Sequence, residues 1–103
     1  MKKFMITCFC FCVSITAHAN TNYKSGTISN LTSTTAGIMI MLDTGIPTFC
    51  EGTPYGWMLV KNVNSAMVST VLAAWVSGKK TGTVYVSQRT SGYCIINQFD
   101  PNG

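Results

Sequence analysis

The sequence predicts a β-rich α+β domain of five strands, with a single helix between the third and the fourth. Three observations predict it. Short runs of β-branched and apolar residues are set apart by Gly, Pro, Asn and Asp clusters, the layout of strands and turns. Only the stretch from Ser65 to Ser77 carries its apolar residues at helical spacing. The run Gly37-Ile38-Met39-Ile40-Met41-Leu42 is apolar throughout. Such a run marks a strand buried on both faces, or one whose second face meets another subunit.

Residues 23–31 form the first strand, favoured by Thr27 and Ile28, with Gly26 as a bend or bulge. The polar cluster 32–35 is a turn into the second strand, 37–42, which stops at Asp43-Thr44-Gly45. Residues 48–50 read as a short extended piece beyond Pro47, ahead of a loop over 51–56 and a third strand over 57–60. Asn64 is a good N-cap and Gly78 a good C-terminal stop for the helix between them. Met67, Val68, Val71, Leu72 and Trp75 form its core stripe, with Leu72 and Trp75 as the expected anchors. The opposite face carries no charge, and its small residues Ser65, Ser69, Ala73 and Ser77 suit either close packing in an oligomer or plain solvation. A fourth strand over 81–87 sets Val84 and Val86 on one side. A turn over 89–92 leads to a fifth strand over 93–99, and 100–103 read as a turn-like tail. A helix between strands three and four of five is the connectivity of the OB-fold, a small Greek-key barrel, and closure would explain the wholly apolar second strand.

The N-terminus has a different character. Lys2-Lys3, an apolar run over 4–16 and Ala17-His18-Ala19 reproduce the three regions of a secretory signal peptide, with cleavage expected before Asn20. The apolar run, about 13 residues, is shorter than the ~20 that span a bilayer, so stable membrane insertion is not expected after cleavage. An uncleaved anchor is the alternative. The expected product is a single domain over 20–103, secreted or periplasmic in a bacterium. Cys8, Cys10 and Cys12 leave with the signal, and Cys50 and Cys94 then stand alone in an oxidising compartment, where a disulfide is the natural state and two buried thiols the alternative.

The same cut removes the only histidine, His18. What remains is Lys24, Lys61, Lys79, Lys80 and Arg89 against Asp43, Glu51 and Asp100. Scattered cations do not make the stripe that polyanions need, so a nucleic-acid partner is not expected. A nucleophile lacks a histidine base, a zinc ion lacks ligands, and Asp43 and Glu51 sit beside Gly45 and Gly52 as turn residues do. No catalysis, metal or cofactor is expected. One loop does offer binding chemistry. Tyr55, with Glu51 and Thr53 beside it, combines a ring for the apolar face of a sugar with groups that satisfy its hydroxyls. The alternative is that Pro54 and Gly56 simply make a turn and Trp57 is core.

Several pieces together resemble a family: Ser25-Gly26-Thr27-Ile28 opening the first strand, Phe49-Cys50 after the second, and an amphipathic helix running into Ser77-Gly78-Lys79. Thr83-Val84-Tyr85-Val86 and the late Cys94 complete the set. In this layout the chain resembles the B subunits of pentameric AB-type bacterial toxins, those of subtilase cytotoxin and typhoid toxin above all. The resemblance implies a ring of subunits whose helices line a central pore, an enzymatic A subunit as partner, and outer pockets for sialylated or other glycans. By position it makes Ser25 a sugar contact. It differs in having fewer cysteines and in the placing of the tyrosine after the helix relative to Tyr85. The expected function is a secreted, non-enzymatic binding subunit recognising a glycan or cell-surface receptor. The alternative is a periplasmic structural or inhibitory protein acting through protein–protein contact.

Overall fold

The computed structural model describes residues 21–102. The signal-peptide reading of residues 1–19 lies outside them. Five strands, β1 (Tyr23–Ser33), β2 (Gly37–Leu42), β3 (Met58–Lys61), β4 (Thr81–Arg89) and β5 (Cys94–Pro101), and one helix, α1 (Ser65–Ser77), make a small sheet-rich α+β fold. The helix lies between β3 and β4, as the sequence predicts. The strands close into a ring in the order β1-β2-β3-β5-β4.

Closure depends on β1 serving two neighbours. Its first half, Tyr23 to Thr27, pairs with β4, and its second half, Ile28 to Ser33, pairs with β2. The change of partner falls where the register shifts, between Ile28 and Asn30, so the bulge is there and not at Gly26. A bulge adds twist and bends the strand, which is what a strand turning from one partner to another requires. Gly26 has a different duty: a Cβ there would run into the Thr44 hydroxyl and stand 2.9 Å from Asp43 Oδ1. All ladders are antiparallel except β3 with β5, which pair in parallel at Met58↔Cys94 and Leu59↔Ile95.

The period-2 alternation of the strands builds the core. Ile38, Ile40 and Leu42 of β2 are buried, while Met39 and Met41 between them are half-exposed, so β2 is not buried on both faces. Val84 and Val86 of β4 are fully buried, as are Met58 and Val60 of β3 and Ile96 of β5. Gly37 holds φ at +151° where β2 begins, and a Cβ there would strike the Val60 carbonyl, so only glycine fits.

The helix packs on the ring through β5 and β3. Val71 and Ala74 are its buried residues, with Met67, Val68 and Trp75 packed against the core. Leu72, expected as an anchor, is 38% exposed. The inward stripe is rotated toward Ala74, whose small side chain allows close approach to the sheet, and Lys80 Nζ lies 4.2 Å from the centre of the Trp75 ring. Asn64 makes no side-chain cap; it serves the helix through its carbonyl, which accepts from Val68 N at 3.0 Å. Gly78 ends the helix in the left-handed conformation, as expected.

Several boundaries differ from the sequence reading: β3 is Met58–Lys61 and not 57–60, and β5 begins at Cys94 and not at 93. β1 continues to Ser33 because Ser33 still pairs with Ile38, and Thr34 makes the turn by donating its hydroxyl to the Gly37 carbonyl at 2.9 Å. Residues 48–50 are a 3-10 turn and not an extended piece, since Cys50 N and Glu51 N bond back to the carbonyls of Pro47 and Thr48. β4 runs on to Arg89, opposite Cys94. Asp100 and Pro101 are no tail: they pair with Thr83 and Gly82, and β5 includes them.

Candidate ligand-binding face

The alternation that sends Val84 inward sends its neighbours Thr83 and Tyr85 to the outer side of the ring. Three rows cross this outer face, each taken from the register: Tyr23↔Tyr85↔Gln98, Ser25↔Thr83↔Asp100, and Thr27↔Thr81. The first row begins with an aromatic pair, ring centres 6.2 Å apart and tilted by 36°. Tyr23 is 51% exposed and Tyr85 half-buried, so Tyr85 backs a ring that Tyr23 offers to solvent.

In the second row the Ser25 and Thr83 hydroxyls lie 2.7 Å apart. One hydroxyl donates to the other, which leaves one O–H donor and several lone pairs for another molecule. Thr83 is buried and Ser25 exposed, so Thr83 fixes the Ser25 rotor and Ser25 is the hydroxyl of the pair open to solvent. The strand edge beside Ser25 is closed by the turn after β2. Thr44 Oγ1 donates to the Ser25 carbonyl at 2.7 Å, and Asp43 Oδ1 accepts from Thr27 N at 2.8 Å. On the far side, β5 brings Asp100 next to Thr83.

No protein-family model, curated protein or solved structure matches this chain at a significant level.

The Glu51–Tyr55 loop is a separate feature. Cys50 and Cys94 are bonded, with Cα atoms 5.7 Å apart, and so tie the loop's base to β5. Arg89 Nη1 donates to the Phe49 carbonyl at 3.0 Å and to the Glu51 carbonyl at 2.6 Å. The Thr53 hydroxyl donates to the Cys50 carbonyl at 2.9 Å and is thereby occupied in the turn. Glu51 is exposed, and Tyr55, 74% exposed, stands clear of the body of the protein. Trp57 is half-buried. The loop is held at the Arg89 end of β4, six residues and about 20 Å of strand from Thr83. Among the described residues no hydrogen bond joins Ser25 to Glu51, Thr53 or Tyr55.

Of the residues named from the sequence, Ser25 thus lies in an organised polar and aromatic face, whereas Tyr55 stands alone at a loop tip. Thr83, Tyr23, Tyr85, Gln98 and Asp100 complete the face and were not foreseen. Their signal was the alternation of each strand, but the register that joins them spans 58 residues between Ser25 and Thr83. Ser65, Ser69, Ala73 and Ser77 are all exposed on α1, together with Leu72 and Val76, the last 79% exposed. Among the described residues no three His, Cys, Asp or Glu side chains group as a metal site would require, and no helix is long and apolar enough to cross a membrane.

Proposed function

We propose that the chain is a secreted, non-enzymatic subunit that binds a glycan through the outer β1–β4–β5 face and works as a homo-oligomer. The observation that carries the reading is the Ser25–Thr83 hydroxyl pair set one row from the Tyr23–Tyr85 ring pair. A hexose presents a patch of C–H bonds bordered by hydroxyls, and a ring beside an oriented hydroxyl answers both parts at once. Ser25 and Tyr23 meet the sugar directly, while Thr83 and Tyr85 position them. Glu51, Thr53 and Tyr55 are a second contact area for a larger receptor.

An OB-fold barrel is the architecture this reading uses. Support for it comes from the strand order, the single parallel pairing of β3 with β5, and the helix between β3 and β4. The likeness to toxin B subunits extends the proposal to a pentameric ring and an enzymatic A subunit as partner. The uncharged helix face is what favours assembly: Ser65, Ser69, Ala73 and Ser77 permit close approach, and no charge has to be desolvated. Export by a cleaved signal peptide belongs to the same proposal.

Binding to an array of mammalian and bacterial glycans tests the first part. Tyr23→Ala should lower affinity at least tenfold for whichever glycan is retained, with the melting temperature little changed because Tyr23 is half outside the fold. Light scattering of the exported protein at micromolar concentration tests the second. Ser69→Glu with Ala73→Glu should turn an oligomer into folded monomer, and a wild-type monomer would remove the ring. A periplasmic structural or inhibitory protein is the second reading, favoured by exposed Leu72 and Val76 on the same helix face. Glycan silence together with capture of one envelope or enzyme partner through that face would decide for it.

A further inference from the structure

We infer that the cleft between β5 and the start of α1 binds an uncharged sugar through its acetamido group. Only Gln98, at the end of the Tyr23–Tyr85 row, is common to this cleft and the outer face. The inference does not depend on glycan binding at that face.

The cleft begins with a break in alternation. In a regular strand the buried Ile96 would be followed by one outward and one inward side chain. Here Asn97 and Gln98 are both exposed, and the next buried residue is Phe99. The β4–β5 register shows the cause. Tyr85 faces Gln98 and Val86 faces Ile96, so Asn97 has no partner and β5 carries one residue in excess. A bulge of this kind re-aims side chains, and it sets two consecutive carboxamides outside where alternation would have buried one. Both residues line a cleft of about 490 Å³, in the size range of small-ligand sites. The opposite wall is the first turn of α1, reached through Val63 and Asn64. Asn64 makes no side-chain cap, so its carboxamide is not committed to the helix. Met67, half-buried, and Phe99, buried, supply the apolar side. No residue lining the cleft carries a charge.

This inventory selects a ligand. A carboxamide carries two N–H donors and an acceptor, so three of them answer both the C=O and the N–H of a secondary amide and keep bonds for nearby hydroxyls. Met67 offers an adaptable thioether surface to the amide's methyl group. An ionised ligand would give up hydration to a cleft whose side chains hold no countercharge. Amide, methyl and hydroxyls occur together in an N-acetylhexosamine. A peptide bears the same amide, but it flanks that amide with side chains and leaves the Ser65 hydroxyl and the remaining carboxamide positions fewer polar partners.

The test is an amide NMR titration of the exported protein with methyl N-acetyl-β-glucosaminide, methyl β-glucoside, N-acetylalanine methylamide and inorganic phosphate as probes. A neutral ligand of about 15 heavy atoms in an open cleft binds with a dissociation constant on the order of 1 mM, which such a titration measures. The acetamido sugar should shift the signals of Asn64, Met67 and Asn97 to saturation. It should bind at least tenfold tighter than methyl β-glucoside, which has a hydroxyl in place of the acetamide. Asn97→Ala, at an exposed position, should lower that affinity about fivefold or more at an unchanged melting temperature, and Gln98→Ala gives the same readout should the bulge not tolerate alanine. An equal response to methyl β-glucoside overturns the inference, as does an affinity that neither variant lowers. Tighter binding of N-acetylalanine methylamide assigns the cleft to peptides and overturns it. Tighter binding of phosphate overturns it too, because backbone N–H groups at the helix end, not the carboxamides, then make the site. Shifts confined to Tyr23 and Ser25 overturn it and leave glycan binding at the outer face standing, and silence with every probe overturns it without bearing on that face.

Discussion

Breaking the Cys50–Cys94 bond should cost this domain a large part of its stability. The bond joins residues 44 apart and holds the turn after β2 to the start of β5. In the chain-entropy model, closing a loop of that length removes about 13 cal/mol/K from the unfolded chain, or about 4 kcal/mol at 25 °C. A domain of this size has a total stability on the order of 5 kcal/mol, because it buries only some 60–65% of its unfolded surface. At about 4–8 °C per kcal/mol, losing the bond lowers the melting temperature by about 15–30 °C. The assay is thermal unfolding by circular dichroism of the oxidised protein, the reduced protein and Cys50→Ala/Cys94→Ala. Reduction leaves both sulfur atoms in the chain, so it separates loss of the cross-link from the cavity that the double variant creates at these buried positions. A reduced protein melting within about 5 °C of the oxidised one would refute the entropic account, and would mean that Arg89 and the strand ring suffice to hold the segment.

Other expectations follow from burial and backbone geometry. Val71→Ala, at a fully buried site, should destabilise by about 1–3 kcal/mol, and Leu72→Ala by well under 1 kcal/mol; the reverse ranking in urea titrations would restore Leu72 as an anchor. Gly37→Ala should abolish folding or cost several kcal/mol, since a Cβ meets the Val60 carbonyl at a positive φ, and a near-native melt would contradict that geometry. Arg89→Met should free the Phe49 and Glu51 carbonyls and speed proteolytic nicking at residues 51–56 without lowering the melting temperature by more than a few degrees.

The sequence made the number and order of elements readable because alternation and helical spacing are local properties. The helix ends could be read for the same reason, Gly78 being required by the left-handed stop. Which helical residue faces inward could not. Residues 71, 72, 74 and 75 are compatible with two stripes a fraction of a turn apart, and the choice of Ala74 over Leu72 depends on how closely the ring approaches the helix. The strand ends at Arg89 and Pro101 were also hidden, because the β4–β5 ladder that extends them is a tertiary pairing with two register shifts. The same holds for the candidate face. Ser25 came from a resemblance, while its partners Thr83 and Asp100 depend on registers that no spacing within a strand reveals. Tyr55 was conspicuous by its chemistry, yet the loop that carries it is organised by Arg89 and the disulfide rather than by any contact of its own ring.

The divided pairing of β1 has a kinetic consequence. Its second half meets β2 across a short turn and can form as a hairpin on a microsecond scale. Its first half must wait for β4, with Ser25 and Thr83 58 residues apart, so the ladder that completes the ring is among the costliest in chain entropy to close. This separation predicts a transition state that contains the β1–β2 hairpin but not the β1–β4 seam. Destabilising the seam accelerates unfolding and leaves the refolding rate nearly constant. The Ser25–Thr83 pair sits on that seam, so a molecule bound across it would latch the ladder that closes the ring.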